Sequence, residues 1–372
     1  MKNVVFVMHR FRTGGVEKMF INIVDQLRSE KVYLIVVHKD FDGIAQQIPG
    51  NVEIIDFDHL FLVHSLRRVN GSLQFLSPLL APLILVIQIL YCKFLLNLKQ
   101  DVTINFSDTF SSLILTYVQK GEKFSWIHSN PRVIKNSSLG FLYSFLYKKC
   151  DQIICICNDQ KKLFLDLFKI DEKSTKVVYN TIDTNVIDKY KNEELKTQDE
   201  KFILMVSRID NRSKDFISVI KAYNLLWLED KNIPCMYIVG AGPDEGFIKS
   251  FIKELQLEDR IILKGNDTNP YKWMKNASIF IFSSKSEGFG LVLIEAMYCE
   301  VPVIATDCEV GPREILKNGE FGQLVQVGDV LQLKNGISEI LRDDNIGKIK
   351  ALAKERAASF STQNRDLMKE IF

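Results

Sequence analysis

Short runs of Val, Ile, Leu and Phe alternate along the chain with longer stretches in which apolar residues recur every three or four positions. Runs of four to six suit strands and the longer repeats suit helices, so the alternation predicts parallel sheet with crossover helices. In the first half the expected strands are Val4–Met8, Val32–Val37, Val52–Ile55, Val102–Phe106, Phe124–Ile127, Gln152–Ile156 and Lys176–Tyr179. A Gly14-Gly15 turn and a helix from about Val16 to Ser29 follow the first of them. Their near-continuous Val/Ile content fits strands covered on both faces. Thr184–Lys201 is polar, lacks an apolar face and reads as an interdomain linker. The alternation then restarts, with strands Phe202–Ser207, Met236–Val239, Ile261–Lys264, Ile279–Phe282 and Val301–Thr306. Helices are expected near Phe216–Glu229, Glu245–Leu255 and Leu291–Cys299. Two parallel α/β units result, residues 1–183 and 184–355, with helical residues 356–372 crossing back to the first. In such sheets a ligand is expected at the carboxyl ends of the strands, here in the cleft between the units.

One segment resists this pattern. Val69–Cys92 holds no charged residue, Arg67-Arg68 precede it and Lys93 follows. Pro78 and Pro82 interrupt its start and leave a clean helix of about 16 residues from Leu83. A membrane span there would send the later strands of the first unit to the other side of the bilayer. A buried helix and a membrane-facing surface helix over residues 79–96 both stay open, and the basic flanks suit anionic headgroups.

Composition narrows the function. With 372 residues the chain has room for about two domains. Its 47% hydrophobic and 25% charged content excludes a disordered chain. Forty-eight Lys and Arg against 46 Asp and Glu leave no basic excess of the kind nucleic-acid binders show. Seven scattered cysteines make no disulfide scaffold, and Cys150, Cys155 and Cys157 read as buried small hydrophobes, not zinc ligands. The apolar run at the N-terminus ends at His9-Arg10, too short for a signal peptide, so a cytoplasmic protein is expected.

Four features follow strands directly. Thr13-Gly14-Gly15-Val16-Glu17 offers free helix N–H groups to an anion, or is a tight turn, and lacks the third glycine of a dinucleotide fingerprint. Ser207-Arg208-Ile209-Asp210-Asn211-Arg212-Ser213-Lys214 places a guanidinium and an ammonium where a diphosphate suits them, or is a solvated basic loop. In Ser286-Glu287-Gly288-Phe289-Gly290-Leu291-Val292-Leu293-Ile294-Glu295, the glycines free backbone N–H groups for phosphate while Glu287 and Glu295 face hydroxyls, or the two are a pair of surface glutamates. A carboxylate such as Glu295 among apolar residues needs a partner. Ser125-Trp126-Ile127-His128-Ser129-Asn130 ends on a histidine that is either a ligand contact or a capping residue.

Taken together, these residues resemble the retaining glycosyltransferases of family 4, which have the two-lobed GT-B fold of facing Rossmann-like domains. The glutamate pair Glu287 and Glu295 carries the resemblance most specifically. Gly14-Gly15-Val16-Glu17, Asn180-Thr181-Ile182-Asp183, Arg208 with Lys214, and Gly311-Pro312-Arg313-Glu314-Ile315-Leu316 extend it over most of the chain. The resemblance implies a nucleotide-sugar donor held mainly by the second lobe. Arg208 and Lys214 then bind the diphosphate, assisted by Gly15 and the backbone of Gly288, Phe289, Gly290 and Leu291. Glu295 takes the ribose hydroxyls, Glu287 the donor-sugar hydroxyls, and His128 reaches toward the anomeric carbon. Lys214 is followed by Asp215 where the family commonly has glycine, which leaves Arg212 as a rival phosphate contact.

The implied activity is metal-independent, retaining transfer of a hexose or N-acetylhexosamine from a UDP-sugar to a growing, lipid-linked bacterial surface glycan. No cofactor is expected; Asp40-Phe41-Asp42 and Asp56-Phe57-Asp58 read as loop residues, not metal ligands. Acceptor choice falls to Phe11–Thr13, Asn105–Thr109 and Ser129–Ser137. Peripheral contact with the inner face of the membrane through residues 79–96 goes with that acceptor. The alternatives are a same-fold transferase acting on a soluble or protein acceptor, a UDP-sugar epimerase, and a two-lobed binding protein without catalysis.

Overall fold

A computed structural model of the chain describes residues 3–12, 14–28, 30–38, 40–41, 43–57, 60, 77–96, 98–197, 201–342 and 346–372. The chain divides into two units, one of Met1–Tyr179 with Asp366–Phe372 and one of Asn180–Arg365. Thr13, Asp42, Asp58, Arg67 and Arg68, all singled out above, lie outside the described residues.

The first unit holds seven parallel strands: β1 (Asn3–Met8), β2 (Lys31–Val36), β3 (Val52–Ile55), β4 (Val102–Asn105), β5 (Glu122–Ile127), β6 (Gln152–Cys155) and β7 (Thr175–Val177). Their order is β3-β2-β1-β4-β5-β6-β7. The chain winds outward from β1 in one direction and from β4 in the other, so the β1/β4 seam is the topological switch point. Its helices are α1 (Gly15–Gln26), α2 (Ser77–Phe94), α3 (Phe110–Val118), α4 (Pro131–Lys135), α5 (Gly140–Tyr147) and α6 (Asn158–Phe168). On β1, Val4 to Met8 are all fully buried, as a strand covered on both faces requires.

Helix α2 starts at Ser77 and runs through Pro82, earlier than Leu83. As the sixth residue of the helix, Pro82 lies past the first turn and gives up the hydrogen bond that its N–H would donate to the Pro78 carbonyl. Ile84, Gln88 and Cys92 face inward, and Gln88 Nε2 donates to the Val37 carbonyl at 2.9 Å. Leu83, Val86, Leu90 and Phe94 lie on the opposite side and are exposed. The segment is thus neither wholly buried nor wholly surface, and one buried amide sets which side turns in. Among the described residues no helix is long and apolar enough to cross a membrane.

The second unit repeats the design with β8 (Phe202–Val206), β9 (Cys235–Val239), β10 (Ile261–Gly265), β11 (Ile279–Phe282), β12 (Val303–Thr306) and β13 (Gln323–Val325). The order is β10-β9-β8-β11-β12-β13, all parallel, which puts the switch point between β8 and β11. Strand β13 is three residues long and carries too little apolar signal to be expected from sequence. The helices are α7 (Thr184–Tyr190), α8 (Phe216–Glu229), α9 (Glu245–Glu254), α10 (Tyr271–Asn276), α11 (Leu291–Tyr298), α12 (Pro312–Ile315), α13 (Val330–Arg342) and α14 (Ile346–Ala358). Ile203, Met205, Phe216, Ile220, Ile238, Ile281 and Ile337 form part of one buried cluster beneath them.

Two expectations change. Much of the presumed linker is α7, built into the second unit. Asp183 Oδ1 caps it by accepting from Asn185 N at 3.0 Å and Val186 N at 3.2 Å, Ile187 is buried, and Tyr298 Oη donates to Asp188 at 2.9 Å. One buried isoleucine suffices to dock so short a helix, which is why no apolar stripe is visible in its sequence. Residues 356–372 are also not one helix. Phe360–Thr362 pair with Ile182 through Ile182 N to Phe360 O at 3.0 Å and Thr362 N to Ile182 O at 2.9 Å. The interruption ends α14, and a short α15 (Leu367–Ile371) packs in the first unit, where Leu367 N donates to Gln26 Oε1 at 2.9 Å.

Candidate active site

The loops leaving β8 and β11 are neighbours because those strands pair at the switch point. Backbone bonds fasten them together: Asp215 N donates to Ser283 O at 3.1 Å and Lys285 N to Ser213 O at 2.8 Å. Thr306 Oγ1, at the end of β12, donates to Ser284 O and accepts from Ser284 N, each at 2.7 Å. The loop conformations are therefore fixed by three adjacent strand ends.

Those bonds bring Lys214 and Glu287 into contact. Lys214 Nζ donates to Ser284 Oγ at 3.0 Å and forms an ion pair with Glu287 Oε1, which also accepts from Ser284 Oγ at 2.6 Å. Both side chains are only 16% exposed, so the charges are screened less than surface pairs. Arg208 and Arg212 instead share buried Asp210: Arg208 Nη2 lies 2.9 Å from Oδ2 and Arg212 Nε 3.2 Å from Oδ1. The hydrogen bond from Arg212 holds the Asp210 carboxyl below the usual carboxylate range. Both guanidiniums remain largely exposed, so Arg208 and Arg212 both keep donor capacity for an anion.

Gly290 caps α11 at φ +116°, a left-handed conformation in which a Cβ is strained. No side chain caps this end of the helix; Leu293 N turns back to Gly290 O at 3.0 Å, which leaves the N–H groups of Leu291 and Val292 as the first-turn donors for an anion. Gly288 and Leu291 are partly exposed, whereas the Phe289 side chain is buried against Phe360, with ring centroids 5.7 Å apart. Phe289 thus offers a ligand only its backbone. Glu295, five residues into α11, is buried and accepts from Tyr271 Oη at 3.1 Å. Its required partner is therefore a tyrosine of α10, 24 residues upstream.

In the first unit Gly15 opens α1, whose cap Gly14 has extended backbone and supplies no side-chain hydrogen bond. His128 follows β5. Its ring packs with Phe106, at 4.5 Å between centroids, and Trp126, at 6.1 Å and nearly parallel, which also touch each other at 5.0 Å. Both ring nitrogens are buried without a hydrogen-bond partner, and burial pushes the imidazole down to about 3. Asp108, from the loop after β4, accepts His128 N at 3.0 Å and Ser129 N at 2.6 Å on Oδ2. Its Oδ1 is buried and unpartnered, and burial raises the carboxyl to about 6 against the pull of those N–H groups. Sequence reasoning missed Asp108, Tyr271 and Ser284, each of which positions a predicted residue, and Thr306, which holds Ser284. A carboxylate directly after an apolar run was the available signal for Asp108.

Asp40 pairs with Arg12 at 2.7 Å. A cavity of about 640 Å³ opens in the second unit beside Pro302, Gln323, Asn335 and Glu339. It lies at the amino ends of β12 and β13, the opposite edge of the sheet from Lys214 and Glu287, and contains no residue of the four loops.

Comparison with known proteins agrees with this geometry. The profile of the family described as glycosyl transferases group 1 matches residues 186–360. A Campylobacter jejuni relative, N-acetylgalactosamine-N,N'-diacetylbacillosaminyl-diphospho-undecaprenol 4-alpha-N-acetylgalactosaminyltransferase, is 32% identical over 97% of this chain and 96% of its own length. Anabaena HepE, solved in complex with UDP and glucose, superposes with a TM-score of 0.76 at 19% identity, covering 100% of this chain and 99% of that one. Staphylococcus aureus TarM superposes with a TM-score of 0.75 at 15% identity over 100% and 98–99% of the two chains. The likenesses to solved structures establish the GT-B fold, and the full-length relative establishes the kinship: the chain is a glycosyltransferase belonging to the glycosyl transferases group 1 family.

Proposed function

We propose that the protein transfers a hexose or N-acetylhexosamine from a UDP-sugar to a hydroxyl of a lipid-linked glycan, with retention and without a metal ion. The observation that carries the reading is the Lys214–Ser284–Glu287 array at the β8/β11 switch point. It sets a fixed ammonium for a diphosphate beside a carboxylate that can accept from sugar hydroxyls. Arg208 and the N-terminus of α11 add positive potential, and Glu295 on the same helix takes the ribose hydroxyls.

In this reaction the anomeric carbon–oxygen bond to the diphosphate breaks while a bond to the acceptor oxygen forms on the same face. The acceptor proton passes to the leaving diphosphate oxygen. An imidazole at about 3 is too weak a base to take that proton at neutral pH, which favours the leaving group in that role. We assign His128 to the reacting sugar, whose hydroxyls offer its two unpartnered ring nitrogens the hydrogen bonds they lack. Arg208, Lys214 and the helix N-terminus meet the charge on the departing diphosphate, in place of a cation.

The donor class is supported by HepE, a structural neighbour solved with UDP and glucose, and the acceptor class by the C. jejuni relative's diphospho-undecaprenol substrate. The exposed outer side of α2 favours a lipid-linked acceptor over a soluble one, and with it a peripheral place at the cytoplasmic membrane face. The test is nucleotide release from a panel of UDP-, GDP- and ADP-sugars, with a polyprenyl-diphosphate-linked amino sugar as acceptor and with or without EDTA. Release of UDP from one donor, unchanged by EDTA, with an α-linked product from an α-linked donor, is expected. Failure to bind UDP in calorimetry would overturn the assignment.

A further inference from the structure

Helix α5 is a second amphipathic element of the first unit, separate from the donor residues. Gly140, Tyr143 and Tyr147 form its buried side. Tyr143 meets Phe110 of α3 edge-on at 5.6 Å, and Tyr147 packs on Phe164 and Phe168 of α6 at 5.2 Å each. The opposite side carries Phe141, 82% exposed, and Phe145, 52% exposed, one helical turn apart. Leu139 and Leu142 extend that surface. Three exposed apolar residues on an eight-residue helix have no explanation in the core they leave behind.

The surrounding charge identifies what covers this surface. Residues 125–150 contain Arg132, Lys135, Lys148 and Lys149 and no Asp or Glu. Lys148 and Lys149 are exposed directly after the helix, and Lys149 Nζ lies 4.1 Å from the Phe145 ring centroid. A second copy of the chain in a twofold contact would bring these lysines against their own kind, which costs energy. A bilayer with anionic headgroups satisfies both features: aromatic rings enter the acyl boundary while lysines extend to phosphates.

Helix α2 adds to the same side. Helix α3 joins the two, giving Leu115 to the cluster that holds Val5, Val7, Ile84 and Cys92, and Leu113 to the cluster that holds Ile127, Tyr143 and Tyr147. The strand register places Val5 and Ile127 on one face of the sheet through Thr103, Lys123 and Asn105, Ser125. The exposed sides of α2 and α5 therefore look outward from one sheet face, and the described part of α2 carries no acidic residue.

We propose that Phe141 and Phe145 of α5, with Lys148 and Lys149 and the outer side of α2, dock the first unit on anionic phospholipid. The proposal deepens the lipid-linked-acceptor reading and rests on it for its purpose, since docking brings the enzyme to a membrane-borne substrate. Full-length protein is sedimented with phosphatidylcholine vesicles containing no or 30% phosphatidylglycerol, with no acceptor present. Binding that strengthens with phosphatidylglycerol, weakens in 0.5 M NaCl, and falls at least tenfold for Phe141→Ser with Phe145→Ser is expected. Lys148→Glu with Lys149→Glu should abolish only the phosphatidylglycerol dependence. UDP release from donor, measured without vesicles, should match wild type in both variants, showing that they fold. Equal binding by wild type and the phenylalanine variant, or no binding to either vesicle, overturns the docking surface. So does a dimer in sedimentation velocity that the phenylalanine variant dissolves. Transfer activity lost while vesicle binding persists would instead count against the proposed reaction.

Discussion

Replacing Asp108 by asparagine should make the protein more stable at neutral pH, against the usual effect of removing a hydrogen-bonded carboxylate. Asp108 accepts two backbone N–H groups, which favour its charge, yet its second oxygen is buried without a partner and the carboxyl is raised to about 6. A rise from 3.8 to about 6 makes the ionised form cost the folded state about 3 kcal/mol at pH 7. Partial exposure of the residue reduces this, so a gain of about 1–3 kcal/mol is expected for Asp108→Asn. Asparagine keeps an acceptor for His128 N and Ser129 N, and its amide replaces the proton that a neutral carboxyl would carry.

The sign fixes the pH dependence. Below about pH 3.8 the carboxyl is protonated in both states and costs nothing, and the folded state takes up a proton as pH falls from about 6 to that value. The advantage of the variant should therefore be full above about pH 6 and vanish near pH 4. His128 works in the opposite direction, since a ring pushed down to about 3 favours folding above its usual 6.5 and loses that contribution as pH falls. Both proteins share that dependence, so their difference isolates Asp108. Urea denaturation can be followed by Trp126 fluorescence with Trp227→Phe and Trp273→Phe in both proteins, which leaves one tryptophan, in the first unit. A variant less stable at pH 7, or a difference that does not change between pH 4 and 7, would refute the reasoning. The two N–H bonds would then outweigh burial.

Lys214→Ala should abolish detectable UDP binding in calorimetry and lower stability by about 1–2 kcal/mol, because Glu287 loses its ion-pair partner in a mostly buried position. Adding Glu287→Ala should recover most of the stability and none of the binding, a non-additivity that a double-mutant cycle in urea measures. Glu287→Gln alone should reduce transfer at least a hundredfold while UDP affinity stays within about threefold, as a contact to the sugar and not the nucleotide requires. Tyr271→Phe removes the buried hydroxyl on Glu295, which should cost about 1–2 kcal/mol of stability and raise the KM for donor up to about tenfold with little change in kcat.

Much of this arrangement was legible because its signals are local. Each of the four candidate loops begins where an apolar run stops, and a strand end is visible in sequence as a change of polarity. Gly290 takes the left-handed φ that its loop needs, and the spacing of Glu287 and Glu295 survives in the fold as loop and helix. The unreadable parts depend on register. Asp108 meets His128 only because β4 pairs with β5 with Asn105 opposite Ser125, which brings the two strand ends level. Tyr271 reaches Glu295 because α10 packs against α11, a relation no spacing rule contains. Helix α2 shows the limit most clearly: an almost uniformly apolar sequence has no preferred inner face until Gln88 finds the Val37 carbonyl.

Arg208 and Lys214, two of the cations at the second switch point, are not equivalent. Arg208 is 68% exposed and tied to Asp210, so its charge reaches into solvent and can meet an incoming diphosphate early, at the cost of salt screening. Lys214 is mostly buried and held by Ser284 and Glu287, so its position is set before any ligand arrives. A preset charge loses little in reorganisation when negative charge develops on a departing diphosphate, whereas a mobile guanidinium must be ordered first. In the proposed reaction, recruitment would therefore fall to Arg208 and stabilisation of the leaving group to Lys214. Glu287 neutralises Lys214 in the structure, and on the proposed reading a bound diphosphate would take over the ammonium and free Glu287 in part for the sugar.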